Sequence, residues 1–389
     1  MTPLNILHVF RAPVGGLFRH VLDLAREQIA RGHRVGLIAD SNTGGSRAED
    51  TLGELAPSLA FGVTRFPMRR HIGPGDALAI ARVMRRIAQV RADIVHGHGA
   101  KGGAYARMAF NARDAVRAYT PHGGSLLLEH SSLSGRAYLT MERVLMPRGN
   151  LYLFESAFSG DVFRAKIGNP PGLVRVVPNG VGKADFAPVP PAADATDLVF
   201  IGELRVVKGI DTLLHALAAL RRDGQPVTLT LVGDGPEAQA LRDLTAQLGL
   251  QSAVHFMSAM PMRQALARGK VMVIPSRAES MPYVVLEAAA AAKPLITTNV
   301  GGIPEIYGEL SDALVTPGDV TALAEAIRSA LADRAAGAER AQLLRQRVAA
   351  GFSVDAMVDG ALAGYEQVLE SLHQTVREPL ASTRPRTLA

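Results

Sequence analysis

Apolar runs of four to seven residues alternate along this chain with longer stretches in which hydrophobic positions recur every three or four residues. The runs at 4–10, 34–39, 64–68, 93–96, 116–120, 150–155 and 173–177 predict strands buried on both faces. The intervening periodicity predicts helices over 17–31 and 75–91, a partly irregular helix within 125–145, and a helix opened by Ser156. A second series of strands follows at 197–201, 227–232, 254–256, 271–274 and 294–298, with helices over 210–222, 237–248, 261–268 and 283–293. Helices fill 319–334, 338–349 and 354–372. Regular strand–helix alternation predicts an α/β chain of two Rossmann-like, doubly wound domains with parallel sheets. The proline- and alanine-rich stretch 187–194 is the clearest linker, so we divide the chain into 1–186, a linker at 187–196, and 197–353. A terminal helix at 354–373 and a disordered tail at 374–389 complete it.

The second half is organised around residues 275–294, PSRAESMPYVVLEAAAAAKP. An apolar strand ends at Pro275, a short polar turn follows, and Pro282 stands where a first helical residue would be. The alanine-rich helix is expected to run from 283 to 293, closed by the cation Lys293 and by Pro294. Glu279 precedes this helix and Glu287 lies within it. Between them is a helix N-terminus, whose free N–H groups favour a phosphate. Carboxylates accept hydrogen bonds from hydroxyls, so a ligand with a central phosphate and hydroxyls at both ends suits the spacing. A nucleotide sugar is such a ligand.

Other strand ends carry glycine or charge. Gly15 and Gly16 follow the first strand and let backbone approach a ligand. A full G-x-G-x-x-G is absent, which argues against a dinucleotide-dependent dehydrogenase. His96-Gly97-His98-Gly99-Ala100-Lys101-Gly102-Gly103 reads as a glycine-rich strand-to-helix loop. Its two histidines stand at i, i+2 with no third metal ligand evident, so no metal site is expected. His98 and Lys101 are candidates for acceptor binding, Lys101 through an acceptor phosphate. His122, with Gly123 and Gly124 behind it, ends the strand at 116–120, and the polar segment Glu129-His130-Ser131-Ser132 is a further acceptor-side candidate. Arg205 and Lys208 stand between a strand and a helix N-terminus, where cations neutralise a diphosphate.

The Glu-x7-Glu spacing of Glu279 and Glu287 resembles the signature of retaining glycosyltransferases of family four, on the two-domain GT-B fold. Pro178-Asn179-Gly180-Val181, Gly233-Asp234-Gly235-Pro236 and Val300-Gly301-Gly302-Ile303-Pro304-Glu305 are similar to further turns of that family, in the same order. The resemblance implies that Glu279 contacts the donor sugar and Glu287 the ribose, while amides around Ser280, Met281 and Tyr283 meet the pyrophosphate. It implies a nucleotide-side position for Gly233, a leaving-group role for Arg205 and Lys208, and a donor-facing role for His122. It also implies domains facing a central cleft, with the terminal helix crossing back to the first domain. The chain departs from the pattern twice. Glu203 stands where an arginine usually follows the glycine, and the Ser280–Tyr283 turn lacks its glycine.

Composition narrows the chemistry. The 389 residues bound the chain to two or three domains, and the lack of cysteine excludes disulfides, thiolate metal sites and cysteine nucleophiles. No apolar run reaches the roughly 18 residues of a membrane span, and the first residues enter a strand without a leader pattern, so a cytoplasmic protein is expected. Residues 1–180 carry 23 Lys+Arg against 13 Asp+Glu, whereas the remainder carries 19 against 23. A basic first half suggests an anionic membrane surface, a lipid phosphate or nucleic acid; arginine-rich composition alone is the plainer account. Absence of Asp-x-Asp agrees with metal-independent transfer and no cofactor. The expected activity is sugar transfer from a nucleotide diphosphate sugar to a glycan or lipid-linked acceptor with retention. Nucleotide-sugar epimerase or phosphorylase chemistry is the alternative, and a basic nucleic-acid-binding protein, unsupported by aromatics or motif, the remote one.

Overall fold

The computed structural model describes residues 2–110, 115–129 and 131–377. His130, and the part of the expected tail beyond residue 377, lie outside the described residues. The chain divides into two compact units. Unit 1 comprises the residues up to 155, residues 160–177, and those from 357 onward; unit 2 comprises 156–159 and 178–356.

Unit 1 is built on seven strands: β1 (Asn5–Phe10), β2 (Arg34–Asp40), β3 (Val63–Phe66), β4 (Ile94–His98), β5 (Val116–Thr120), β6 (Leu151–Phe154) and β7 (Leu173–Val176). Their order is β3-β2-β1-β4-β5-β6-β7, all parallel. Unit 2 holds β8 (Thr196–Ile201), β9 (Leu229–Val232), β10 (Val254–Met257), β11 (Gly269–Ile274) and β12 (Leu295–Thr297), in the parallel order β10-β9-β8-β11-β12. The central strands are apolar on both faces because helices cover both. Leu198, Val199, Phe200, Met272 and Val273 are all buried, each worth about 1.5–3 kcal/mol of transfer free energy. In each sheet the winding reverses once, between β1 and β4 and between β8 and β11. Crevices outside the carboxyl ends of strands form at such reversals. The reversal in unit 2 brings the turn after β8 beside Pro275–Tyr283.

Two expectations change here. The strand expected to stop at 96 continues to His98, and helix Gly99–Arg107 starts at once, so the expected glycine-rich loop does not exist. Its glycines serve packing instead. A Cβ on Gly102 would meet the Val9 carbonyl oxygen at 2.1 Å, and one on Gly103 the Tyr119 ring at 2.1 Å. The helix therefore lies on β1, β4 and β5 at a distance only glycine permits.

The proline-rich stretch is likewise not where the units part. The division falls at 177/178, and the stretch belongs to unit 2. Arg263 donates to the carbonyls of Ala184, Ala187 and Pro188, and Phe186 and Val189 pack on the unit 2 core. Prolines lack N–H groups but keep their carbonyls, and one guanidinium gathers that of Pro188 together with those of two alanines. The last helix, Val354–Arg377, starts in unit 2 and from Met357 belongs to unit 1; it covers the first residues of the expected tail.

Candidate active site

In unit 2 the turn after β8 and the turn after β11 meet across the sheet reversal. Gly209, at φ 65°, caps helix Ile210–Arg222, and a Cβ there would strike the Pro275 carbonyl oxygen at 2.1 Å. That contact lets the two turns close on each other. Lys208 Nζ then donates to Glu279 Oε1 at 2.6 Å, and Ser276 Oγ donates to the same oxygen at 2.7 Å. Glu279 is buried, so this carboxylate is held by a cation and a hydroxyl rather than by water. Arg277 anchors the turn from the other side through a bidentate pair with Asp211, at 2.8 and 2.6 Å. Asp211 sits in the first turn of helix Ile210–Arg222. Burial works against its ionisation, but the Arg277 hydrogen bonds and charge hold its carboxyl below the usual range.

The Ser280–Tyr283 segment is fixed by backbone contacts. Gly302 N–H donates to the Ser280 carbonyl at 2.6 Å, and Asn179 Nδ2 donates to the Met281 carbonyl at 2.7 Å. Gly301, at φ 60°, leaves no room for a Cβ against the Glu279 carbonyl. Ser280 Oγ continues a hydroxyl ladder with Ser159 at 2.6 Å and Ser156 at 2.8 Å. The two Gly-rich turns expected from the sequence thus have distinct duties: Pro178–Val181 and Val300–Glu305 hold the turn between Glu279 and Tyr283. Helix Tyr283–Ala290 is shorter than expected. Ala292 takes φ 53°, and Lys293 N–H returns to the Ala288 carbonyl, so the helix ends in a left-handed cap. Lys293 is not a cation on the last turn. Its ammonium is buried and donates to the Gly269 carbonyl, and burial pulls its pKa down to about 8. Glu287 stays half-buried on the helix. Gly233 packs against the Gly202 backbone, where any Cβ would overlap the carbonyl. Arg205 is nearly half exposed and lies 3.6 Å from Glu203, the residue that departs from the usual pattern.

In unit 1 the corresponding strand ends hold histidines. β1 and β4 pair His8 with His96, and Phe10 with His98. His20 comes from helix Gly15–Ala30, and His122 follows β5 at φ 55°, an unusual backbone for any residue but glycine or asparagine. His8 Nδ1 lies 2.9 Å from His98 Nε2, and His98 Nδ1 lies 3.1 Å from His122 Nε2. His96 stacks on His98 with ring centroids 3.9 Å apart. Burial above all, and then the neighbouring imidazoles, push His96 and His98 far below the ordinary histidine range, and His122 likewise through burial and His20. Burial lowers His8 to about 4, against the raising effect of Gln28. His8, His96, His98 and His122 are therefore neutral at pH 7. His8, His96 and His98 bring three nitrogens within 4.8 Å, as do His20, His98 and His122. The third histidine missing from the sequence spacing is thus supplied by other elements.

The acceptor-side candidates fare unevenly. His98 is buried between His8 and His122. Lys101 is buried too, with its ammonium 2.6 Å from both oxygens of Asp76 and 3.1 Å from the His71 carbonyl, so its charge is already neutralised inside the unit. Gly123 and Gly124 remain behind His122, Gly123 at φ 72°. Gly15, at φ 63°, opens helix Gly15–Ala30, with Gly16 next in its first turn. Sequence reasoning missed His8, His20, Ser276, Asn179 and the Ser156–Ser159 pair. One signal was available: His20, Leu24 and Gln28 occupy the buried stripe of their helix at i, i+4 and i+8, and polar residues there need partners inside.

The two all-parallel sheets, each with one reversal of winding, are those of two doubly wound, Rossmann-like units. Residues 14–183 match the Glycosyltransferase Family 4 domain, and residues 195–333 the Glycosyl transferases group 1 domain. The chain is 30% identical over 365 residues to a glycogen synthase of Mycobacterium tuberculosis, covering 87% of this chain and 88% of that one. It therefore belongs to glycosyltransferase family four. It is also 25% identical to the gpi3 subunit of the phosphatidylinositol N-acetylglucosaminyltransferase of Schizosaccharomyces pombe, over 82% of this chain and 70% of the other. Among solved structures, the Anabaena protein HepE in complex with UDP and glucose is similar, with a TM-score of 0.77, 21% identity, and coverage of 95% and 99%. Among the described residues no helix is long and apolar enough to cross a membrane.

Proposed function

We propose that this glycosyltransferase moves a sugar from a nucleotide diphosphate sugar to a glycan or lipid-linked acceptor, with retention of configuration and without a metal. The observation that carries the reading is the Lys208–Glu279 pair at the sheet reversal of unit 2, beside the N-terminus of helix Tyr283–Ala290. In transfer, the bond from the anomeric carbon to the diphosphate oxygen breaks. The acceptor oxygen bonds to the same face of that carbon, and the acceptor proton leaves with the diphosphate. Lys208 and Arg205 stabilise the charge that gathers on the leaving oxygen, which is electrostatic catalysis by groups already in place. Glu279 positions the donor sugar, Glu287 the ribose, and His122 contacts the donor. The UDP and glucose of the Anabaena neighbour support the donor class, and the glucan and inositol-lipid relatives support the acceptor classes. The exposed Arg85 on helix Gly75–Val90 supports approach to an anionic surface.

Thermal shift with UDP, GDP, ADP and their sugars, on the native protein and on Glu287→Ala, tests the donor site. A ligand at 100 times its dissociation constant adds about 2.7 kcal/mol of stability. One nucleotide should raise the melting temperature of the native protein and not of the variant. No rise with any of them rejects the reading. Product NMR then reports the anomer, and turnover undiminished by EDTA tests the metal independence.

A further inference from the structure

Three of the five clustered histidines meet nitrogen to nitrogen. His8 and His98 have ring centroids 5.1 Å apart with nitrogens at 2.9 Å, and His98 and His122 have centroids 5.3 Å apart with nitrogens at 3.1 Å. Each centroid separation is close to the nitrogen separation plus two ring radii, so the lone pair of one ring points at the other ring rather than at a shared third point. His96 directs its nitrogens elsewhere, to the Tyr365 hydroxyl at 2.7 Å and Thr120 Oγ1 at 2.8 Å, and only stacks on His98. This is the geometry of a hydrogen-bonded imidazole chain and not of a metal cage.

The far end sets its direction. His8 Nε2 lies 2.8 Å from Gln28 Oε1, and an amide oxygen can only accept. His8 therefore carries its proton on Nε2 and accepts at Nδ1. His98 must then donate from Nε2 and accept at Nδ1, and His122 must donate from Nε2. The neutral state of all three, which burial enforces, leaves one proton for each link.

We propose that Gln28, His8 and His98 form a positioning chain that holds His122 as the neutral Nε2–H tautomer, so that its Nδ1 serves as a hydrogen-bond acceptor toward a hydroxyl-bearing ligand. Gln28, His8 and His98 touch no substrate in this scheme; they act through His122. The tautomer assignment rests on the hydrogen-bond geometry and on the burial that keeps the rings neutral, and only its kinetic consequence rests on the donor reading above. A histidine fixed as an acceptor favours a sugar hydroxyl over a phosphate oxygen, because the latter offers no proton at neutral pH. The unusual φ of His122 fits such fixing, since the chain and Gly123 hold a backbone that few residues adopt unaided.

The test is long-range proton–nitrogen NMR on the full chain labelled at histidine, at pH 7.5. The expected spectrum shows His8, His98 and His122 neutral and protonated on Nε2. An Nδ1–H tautomer at any of the three, as a reversed Gln28 amide would impose, overturns the chain. So does stoichiometric uptake of Co(II) with loss of these N–H signals, which would make the nitrogens cation ligands. His98→Asn retains an oxygen that can accept from His122 Nε2–H, whereas His98→Leu does not. His122 should keep its tautomer in the first variant and lose it in the second. Turnover should then fall about tenfold or more in His98→Leu alone, with the donor KM little changed. Equal losses in both folded variants would overturn the positioning role. Correct tautomers in a protein that turns over no nucleotide sugar would instead reject the donor reading and leave the chain standing.

Discussion

Both units bring polar groups to the reversal point of a parallel sheet, yet they hold them by different means. In unit 2 the groups carry formal charge: Lys208 against Glu279 and Arg277 against Asp211. In unit 1 two strands, a helix and the turn after β5 carry five imidazoles, four of which are driven to the neutral form and three of which are linked by hydrogen bonds. The charged pairs keep partial access to water, which lowers the cost of desolvation. His8, His98 and His122 bond to one another as neutral rings, and His96 to Tyr365 and Thr120. A site that must meet a diphosphate needs cations close at hand. A site that must meet hydroxyls needs fixed donors and acceptors, and tautomers supply these without the penalty of buried charge.

The largest effect should come from a place where unit 1 departs from this pattern. Arg107 and Glu142 form a fully buried ion pair at 2.6 Å, with the Tyr119 hydroxyl on the second carboxylate oxygen at 2.7 Å and the guanidinium over the Tyr119 ring. Glu142→Ala leaves Arg107 unpaired and should cost about 3–5 kcal/mol in urea unfolding, whereas the exposed pair Arg164–Asp161 should cost about 0–1 kcal/mol when broken. Next is Lys208→Ala. The loss of a preorganised positive donor should lower turnover about 10²–10³-fold while the fold survives, because the partly exposed Lys208 is not core.

Acid then separates the units. The unfolded chain takes up protons on histidine below about pH 6.5, whereas folded His8 does so only near pH 4. Between these values the unfolded state binds more protons, so stability is full above pH 6.5 and declines toward pH 4. For His8 alone the loss approaches about 3 kcal/mol, with His96, His98 and His122 acting in the same direction. Asp211 and Asp197 of unit 2 have lowered carboxyls, so their contribution is kept above the carboxylate range and fades at lower pH than the histidine effect begins. Hydrogen exchange across pH 7 to 5 should show unit 1 amides losing protection first. Equal loss in both units would dissolve the distinction.

Much of this was visible in the chain itself. Short double-sided apolar runs named the strands, and the strand–turn–helix around Glu279 marked the turn that Lys208 and Arg277 hold. The partnerships were not visible. Lys208 and Glu279 are 71 positions apart, and only the reversal between β8 and β11 makes them neighbours. His8 and His96 meet because β1 and β4 pair in one register, which no local pattern specifies. The proline-rich stretch misled for a related reason: composition reports a loss of N–H groups, but not that Arg263 binds the carbonyls left behind.

The last helix has a further consequence, for the order in which the chain is made. Tyr365 completes the polar partners of His96, 269 positions upstream. Unit 2 has all its residues once position 356 is synthesised, whereas unit 1 still lacks its closing segment, which begins at Met357. At about 5–20 residues per second, the histidine cluster waits roughly ten to forty seconds after β7 emerges before Tyr365 can reach it. Of the two units, the one that begins first is thus completed second.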